Sequence, residues 1–452
     1  MDLSRLFEPK AIAIVGVSLS NPFHPANVIY NKNHLRYKAR AYCINPRGGS
    51  LYGERVYGAI KEVPEKVDLA ILAVRAESIP QSLGECVEAG VSGAVIISGG
   101  FSETGRADIE DEIRRISHAH EFPVIGPNCL GIFSPPHVDA FFLPHERLVE
   151  PKKGHVALIS QSGGILVDLM IKLTQEDVGI SKAVSTGNKA AIDEVDLLRY
   201  FRDDPGTRVI GIYIEGFKDK RGRAFVDEMK HIGKPVVLIK SGKTPGGSRA
   251  VSSHTASLAG DYSVFSELVR QGGAFEARNE VEFVSYCESL VCCHGHAVEN
   301  ICIITGSGGH GAMASDLCYS LGLKIVETPA PDKEDLRKAL SGSIQSIASL
   351  NNPIDLTGSA VDNDFYVATR FFLEKAYVDC IILLLLPYLP GITSDIGARL
   401  AAAVREFNKP VIAYLPHVEK YGIFMEGLES NGVPVAHSVE GAVYMAQSLK
   451  RK

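Results

Sequence analysis

What most limits the fold of this chain is an alternation repeated from end to end: short aliphatic and β-branched runs, each followed by a turn and then by residues at helical spacing. The first series is AIAIVGV (11–17), a helix near 26–35, AYCINP (41–46), LAILAV (69–74), a helix over 79–89, GAVIISGG (93–100) and PVIGPNCLG (123–131). Strands separated by helices in this way predict a parallel sheet with right-handed crossovers. After a Pro-rich connection (134–153) the plan restarts with GHVALISQSGG (154–164), the helical ILVDLMIKLTQ, RVIGIYIE (208–215) and PVVLIK (235–240). A third series keeps the same order: ENICIITGSGG (299–309), CIILLLLPY (380–388) and PVIAYLP (410–416). Units of this length are duplicated domains rather than solenoid repeats. At 452 residues the chain has room for three domains of roughly 150 residues each.

Composition narrows the function classes. A net charge of −6 gives no basic footprint for nucleic acid. The longest apolar run, CIILLLLP (380–387), falls far short of the ~20 residues of a membrane helix, so no membrane partner is expected. AIAIVGV reads as a strand entering a turn, not as the core of a signal peptide. The nine cysteines form no C-x-x-C pair and most sit in apolar stretches, which predicts a reducing, cytoplasmic setting. Cys292 and Cys293, with His294 and His296, lack the second ligand cluster that a zinc finger needs, and no metal site is expected.

One stretch breaks the alternation. A βα connection usually takes about 2–6 residues, yet residues 243–261, KTPGGSRAVSSHTASLAGD, lie between a strand and a helix with almost no apolar side chain. This predicts either a movable functional loop or a disordered insertion, with His254 as its single histidine. Asp261 is the predicted N-cap of a helix over 262–271 that Gly272 and Gly273 stop. Glu215 ends a strand, at the carboxyl edge where open α/β sheets bind ligands. A carboxylate there can fix a histidine tautomer and leave the other ring nitrogen as a nucleophile; the competing reading is a strand-end surface charge. Ser162, Gly163 and Gly164 in one copy, and Ser307, Gly308 and Gly309 in the other, stand between strand and helix. Each is a tight βα turn or an anion cradle at a helix N-terminus. Their duplication favours the cradle, with both facing one phosphate or phosphohistidine. Gly16 ends the first strand where a phosphate turn would sit, but the G-x-G-x-x-G fingerprint is incomplete, and a plain tight turn is equally compatible.

The ordered set IGPNCLG (125–131), ISQSGG (159–164), TGNKAAIDEVDLL (186–198), IYIEGF (212–217), SSHTASLAG (252–260) and TGSGGHGA (305–312) resembles the α subunits of NDP-forming acyl-CoA synthetases. These are the ADP-forming acetate–CoA ligases, relatives of succinyl-CoA synthetase, and the resemblance covers essentially the whole chain. It implies an α/β protein with a Rossmann-like CoA-binding domain (1–130), a flavodoxin-like domain with the phosphohistidine loop (152–293) and a flavodoxin-like ligase-type domain (298–452). The implied reaction is acyl-CoA + ADP + phosphate ⇌ carboxylic acid + ATP + CoA, through acyl phosphate and phosphohistidine. His254 would then be the phosphorylated nucleophile and Glu215 its orienting carboxylate, with both Ser-Gly-Gly turns on the phosphoryl group. Gly16, Val17, Ser18, Pro46, Arg47, Val74, Ser98, Gly99 and Asn128 would line the CoA cleft.

Two departures matter. Where such relatives often read Val-Pro-Ala, this chain has Val74-Arg75-Ala76, placing an arginine beside the expected CoA contact. There is also no P-loop, and the ATP-grasp part of the family is absent from these residues. ADP or ATP with Mg2+ is therefore expected on an ATP-grasp β subunit, in an α2β2 heterotetramer. A CoA- or acyl-CoA-sensing module on the same scaffold is the competing class. A dinucleotide oxidoreductase is disfavoured by the incomplete glycine fingerprint.

Overall fold

The computed structural model describes residues 1–218, 221–254 and 261–451, and leaves the side chains of Ser252, Ser253 and His254 outside the description. It divides into two compact units, residues 1–278 and 279–452. The first unit holds two sheets. One runs Gly49–Leu51, Glu54–Tyr57, Arg40–Ile44, Ala11–Val15, Leu69–Leu72, Gly93–Ile96, Val124–Ile125. Counted in chain order, its parallel strands lie 3-2-1-4-5-6, the doubly wound dinucleotide-fold order, with the short strand Gly49–Leu51 antiparallel at the edge. Ala11–Val15 and Leu69–Leu72 are buried along their whole length, as strands covered by helices on both faces must be.

The second sheet runs Phe275–Ala277, Val236–Lys240, Val209–Ile214, Lys153–Ser160, Ile180–Ser185, and its parallel strands are ordered 2-1-3-4-5 as in flavodoxin. The spacing of the sequence does not foresee its far edge. Ile132–Ser134, just past the last segment of the first series, pairs antiparallel with Ile180–Ser185 and turns back through Val138–Asp139. A buried ion pair ties this hairpin to the first sheet's helix Pro25–Arg36: Lys32 Nζ lies 2.8 Å from Asp139 Oδ2, with both side chains out of solvent. Asn33 Nδ2 donates to the Asp139 carbonyl at 2.7 Å.

In the second unit the order Lys324–Ile325, Asn300–Thr305, Cys380–Leu384, Val411–Tyr414, Val435–Ala436 is again 2-1-3-4-5, with Ile354–Asp355 added beside the end of Asn300–Thr305. The duplication legible in the sequence is thus a duplication of topology. Helix Glu280–Cys293, which the sequence places at the end of the second domain, packs on the C-terminal helix Val439–Ser448 of this unit. The tie is a buried side-chain pair, Ser289 Oγ to Ser448 Oγ at 2.7 Å.

One expectation is corrected. Residues 243–261 are not an unstructured connection throughout, because Pro245–His254 is an α-helix. The signal was in the sequence. Thr244 Oγ1 accepts from Gly247 N at 3.1 Å, an N-cap bond, and Pro245 stands at the first helical position, where a missing N–H costs nothing. The two glycines that follow hid it. The next helix, Tyr262–Gln271, forms where expected, with Asp261 Oδ1 accepting from Ser263 N at 2.8 Å.

Candidate active site

The residues predicted for the CoA cleft all follow the carboxyl ends of strands of the first sheet. Gly16 sits at the switch point between Ala11–Val15 and Leu69–Leu72. Its φ is +97°, and a Cβ there would lie 2.7 Å from the Ala73 carbonyl oxygen, so only glycine fits. Ser18 N donates to Asn27 Oδ1 at 2.7 Å, and Asn45 Nδ2 donates to the Val17 carbonyl at 2.8 Å, which shapes the turn before Pro46 and Arg47. Val17 itself is buried in the core and offers the cleft only its backbone. Ser98 Oγ donates to the Val74 carbonyl at 2.5 Å, and Asn128 N donates to the Ser98 carbonyl at 2.8 Å. Gly99 faces Asn128, with Asn128 Oδ1 3.2 Å from where its Cβ would be. These groups lie on one edge, with an exposed Arg47 and Arg75 beside them.

At the same edge of the second sheet, the switch point lies between Lys153–Ser160 and Val209–Ile214, which carry Ser162 and Glu215 respectively. Ser162 caps the helix Gly163–Gln175, its Oγ accepting from Ile165 N at 3.4 Å, and Ser160 Oγ donates to the Ser162 carbonyl at 2.6 Å. Glu215 is half-buried, and Tyr213 donates its phenol to Glu215 Oε1 at 3.3 Å. The backbone around Glu215 is held by groups the sequence did not single out. Gln161 Oε1 accepts from Glu215 N at 2.9 Å and from Gly216 N at 3.3 Å. Lys189 Nζ donates to the Gly216 carbonyl at 2.7 Å, and Lys240 Nζ to the Glu215 carbonyl at 2.7 Å. Burial pushes the Lys240 ammonium down to about 8, with Glu215 acting in the opposite sense. His254 ends the helix that follows this sheet's fourth strand; its side chain lies outside the described residues.

The segment 186–190 joins the two edges. Asn188 N donates to the Pro127 carbonyl at 2.9 Å and Ala190 N to the Gly126 carbonyl at 2.8 Å, while Thr186 N donates to the Ser160 carbonyl at 2.8 Å. Asn188 Nδ2 reaches Glu103 Oε2 at 2.6 Å, and Asn128 Nδ2 reaches Asn188 Oδ1 at 3.2 Å. Burial works to raise the Glu103 carboxyl, and the Asn188 amide and Gly100 N–H outweigh it, holding the group below its usual range. A cleft of about 1770 Å³ touches this segment at Asn188 and Lys189 and runs on past Glu110 and Arg221 to Met1 and Lys153; Gln161 lies in its wall, but none of the residues predicted for CoA or phosphate does, and neither does Glu215.

In the second unit, Ser307, Gly308 and Gly309 repeat the arrangement after Asn300–Thr305. Thr305 Oγ1 donates to the Ser307 carbonyl at 3.1 Å, the counterpart of Ser160 and Ser162. Here the serine hydroxyl makes no cap bond; it lies 3.1 Å from His310 Nδ1. The two turns belong to separate compact units, and each stands as a helix N-terminus in its own right.

Comparison with known proteins gives the family. A CoA binding domain matches residues 10–135, a succinyl-CoA ligase like flavodoxin domain 153–290, and a ligase-CoA domain 301–423. The α subunit of acetate–CoA ligase [ADP-forming] II from Pyrococcus furiosus is 35% identical over 99% of this chain and 97% of its own. The chain belongs to the ADP-forming acyl-CoA ligase α-subunit family. A longer family member, acetate–CoA ligase [ADP-forming] I from Archaeoglobus fulgidus, is 36% identical over 85% of this chain, which spans 55% of that protein. A solved structure with the same fold is the dinucleotide-forming acetyl-coenzyme A synthetase 1 of Candidatus Korarchaeum cryptofilum in complex with phosphate and ADP. It has a TM-score of 0.88 and 33% identity, covering 99% of this chain and 96% of that one. The family's α/β architecture, a CoA-binding domain followed by flavodoxin-like domains, is the architecture of this chain. Among its described residues, no helix is long and apolar enough to cross a membrane.

Sequence reading missed Gln161, Lys189 and Lys240. Gln161 and Lys189 lie inside quoted motifs, ISQSGG and TGNKAAIDEVDLL, and Lys240 ends the strand PVVLIK. The available signal was a charged or amide side chain in a run otherwise fit for burial, since such a group is kept only with partners.

Proposed function

We propose that this chain is the catalytic α subunit of an ADP-forming acyl-CoA synthetase, interconverting acyl-CoA, ADP and phosphate with carboxylic acid, ATP and CoA. The observation that carries the proposal is the shared layout of the first unit. A CoA-type carboxyl edge and a phosphate-type turn beside Glu215 are joined through the 186–190 segment. The edge around Gly16 fits an extended ligand, because it lies at the carboxyl ends of the strands, at the switch point of a doubly wound sheet. The turn from Gly16 through Val17 to Ser18, the Pro46-Arg47 turn, Val74, Ser98, Gly99 and Asn128 would hold CoA, whose thiol accepts or releases the acyl group.

Phosphate attacks the acyl-CoA carbonyl, the C–S bond breaks, and the CoA thiolate leaves. The acyl phosphate then passes its phosphoryl group to His254: the new N–P bond forms as the P–O bond to the carboxylate breaks. Glu215 accepts from the other ring nitrogen and stabilises the positive charge that builds on the imidazole. The helix N-terminus at Ser162–Gly164 holds the phosphoryl oxygens, and Ser307, Gly308 and Gly309 form a second anion cradle of the same kind in their own unit. ADP, with Mg2+, takes the phosphoryl group on an ATP-grasp β subunit, in an α2β2 assembly in the cytoplasm. The naming of relatives as α subunits supports a partner, and the longer Archaeoglobus fulgidus chain supports fusion of the missing part. A CoA-sensing module is the weaker reading, since the matching full-length relatives are named as ligases.

The test uses the purified chain with acetyl-CoA and radiolabelled phosphate. An acid-labile, base-stable label is expected on His254 and should vanish in His254→Ala. ATP is expected only after ADP, Mg2+ and the β chain are added. Label that survives in His254→Ala removes that residue from the mechanism, and ATP made by this chain alone rejects the two-subunit reading.

A further inference from the structure

Three buried side chains meet on the strand end that carries Glu215. Lys189, on the joining segment, is nearly excluded from water and has a left-handed φ of +55°. Its Nζ donates to the Gly216 carbonyl at 2.7 Å and reaches Gln161 Oε1 at 3.4 Å. That same Gln161 oxygen accepts the N–H groups of Glu215 and Gly216. The far side is closed by Lys240, whose Nζ donates to the Glu215 carbonyl. Every polar backbone group of residues 215 and 216 is therefore bound by a side chain, three of the four by the Gln161–Lys189 pair and the fourth, the Glu215 carbonyl, by Lys240.

Stability alone does not account for Lys189. Its charge is balanced by Glu194, 3.1 Å away and equally buried, but Glu194 Oε1 is buried with no partner among the described residues. A buried ion pair left incompletely hydrogen-bonded is a poor stabiliser, and an apolar pair of similar volume often does as well. What the lysine supplies that an apolar residue cannot is a donor aimed at the Gly216 carbonyl. The segment that carries it also touches the CoA-type edge through Pro127 and Asn128.

We infer that Lys189 is a positioning residue: through the Gln161–Gly216 clamp it fixes the strand end that aims Glu215, and ties that aim to the CoA edge. This rests on the proposed role of Glu215 and His254. A displacement of about 1 Å at a reacting group costs on the order of 10²-fold in rate, so the maximal rate should suffer while substrate binding does not.

The experiment measures phosphoenzyme formation by the full chain from acetyl-CoA and radiolabelled phosphate, with thermal midpoints alongside. Lys189→Met keeps the shape and removes the donor; Lys189→Met with Glu194→Gln also removes the stranded charge. Both variants are expected to label ~30–100-fold more slowly at saturation, with half-saturating acetyl-CoA within about twofold of the unmodified chain. The double variant should regain most of the thermal midpoint lost by the single one and none of the rate. If rate returns with stability in the double variant, Lys189 only balances charge and the inference fails. It fails equally if Lys189→Met labels at the unmodified rate, or if the loss falls on half-saturation. An unmodified chain that takes no label overturns the proposed function, and this inference with it.

Discussion

Lys240 is 5% exposed at the end of a central strand, with one hydrogen bond to the Glu215 carbonyl and another to that of Ser241. Desolvation dominates its titration, lowering the ammonium from 10.5 to about 8; Glu215 and Glu276 oppose the shift, and Lys243 and Lys189 add to it. The sign for stability follows. Between about pH 8 and 10.5 the unfolded chain keeps this proton while the folded chain has released it. The unfolded state then binds more protons, and stability from this group rises with pH across that window. Below it, both states are protonated and the folded chain carries the full cost of the buried charge. The thermal midpoint of the wild type relative to Lys240→Met is therefore expected to rise between pH 7.5 and 10, read by circular dichroism at both values. A difference independent of pH would mean that Lys240 is not desolvated.

At the scale of elements, the segment 186–190 works because Gly187 lets two backbones nearly touch. Its φ is +53°, and a Cβ would stand 2.2 Å from the Pro127 carbonyl oxygen and 2.4 Å from that of Asn128. These are backbone atoms and cannot swing aside, so Gly187→Ala must push the segment off the first sheet. Overpacking of this kind costs about 1–3 kcal/mol, and the displaced residues include Asn188 and Lys189. The expected result is a lower thermal midpoint together with slower phosphoenzyme formation. Gly164→Ala is the control, because nothing lies within 4 Å of its added carbon and the midpoint should barely move.

The first unit as a whole is held partly by charge taken out of water. Lys32, from the helix over the first sheet, meets Asp139 on the hairpin that extends the second, and Tyr37 donates to the same carboxylate at 3.3 Å. Burial disfavours charge on both partners: it lowers Lys32 and raises Asp139. Removing one partner strands the other, a loss of about 3–5 kcal/mol, whereas removing both together costs much less. In urea titrations, Lys32→Met is expected to shift the midpoint well below that of Lys32→Met with Asp139→Asn. Equal midpoints would mean that the pair does not hold the hairpin.

The sequence alone determined what depends on neighbours along the chain. Periodicity of two and of 3.6 residues, cap residues such as Asp261, and glycine turns are local physics, so the strands, most helices and the duplicated plan were legible. Gly16, Ser162 and Glu215 were legible too, because a residue that follows a parallel strand arrives at the carboxyl edge whatever the order of strands. Strand order itself was not, since pairing is chosen by contacts between distant segments. Hence the antiparallel edge Ile132–Ser134 and the packing of Glu280–Cys293 on Val439–Ser448 came only from the folded chain. The helix Pro245–His254 was a local signal masked by Gly246 and Gly247, which are poor helix formers. Gln161, Lys189 and Lys240 are the clearest case for tertiary structure. In sequence they are ordinary polar residues 28 and 51 positions apart, and only burial makes each find a partner, which here is the backbone beside Glu215.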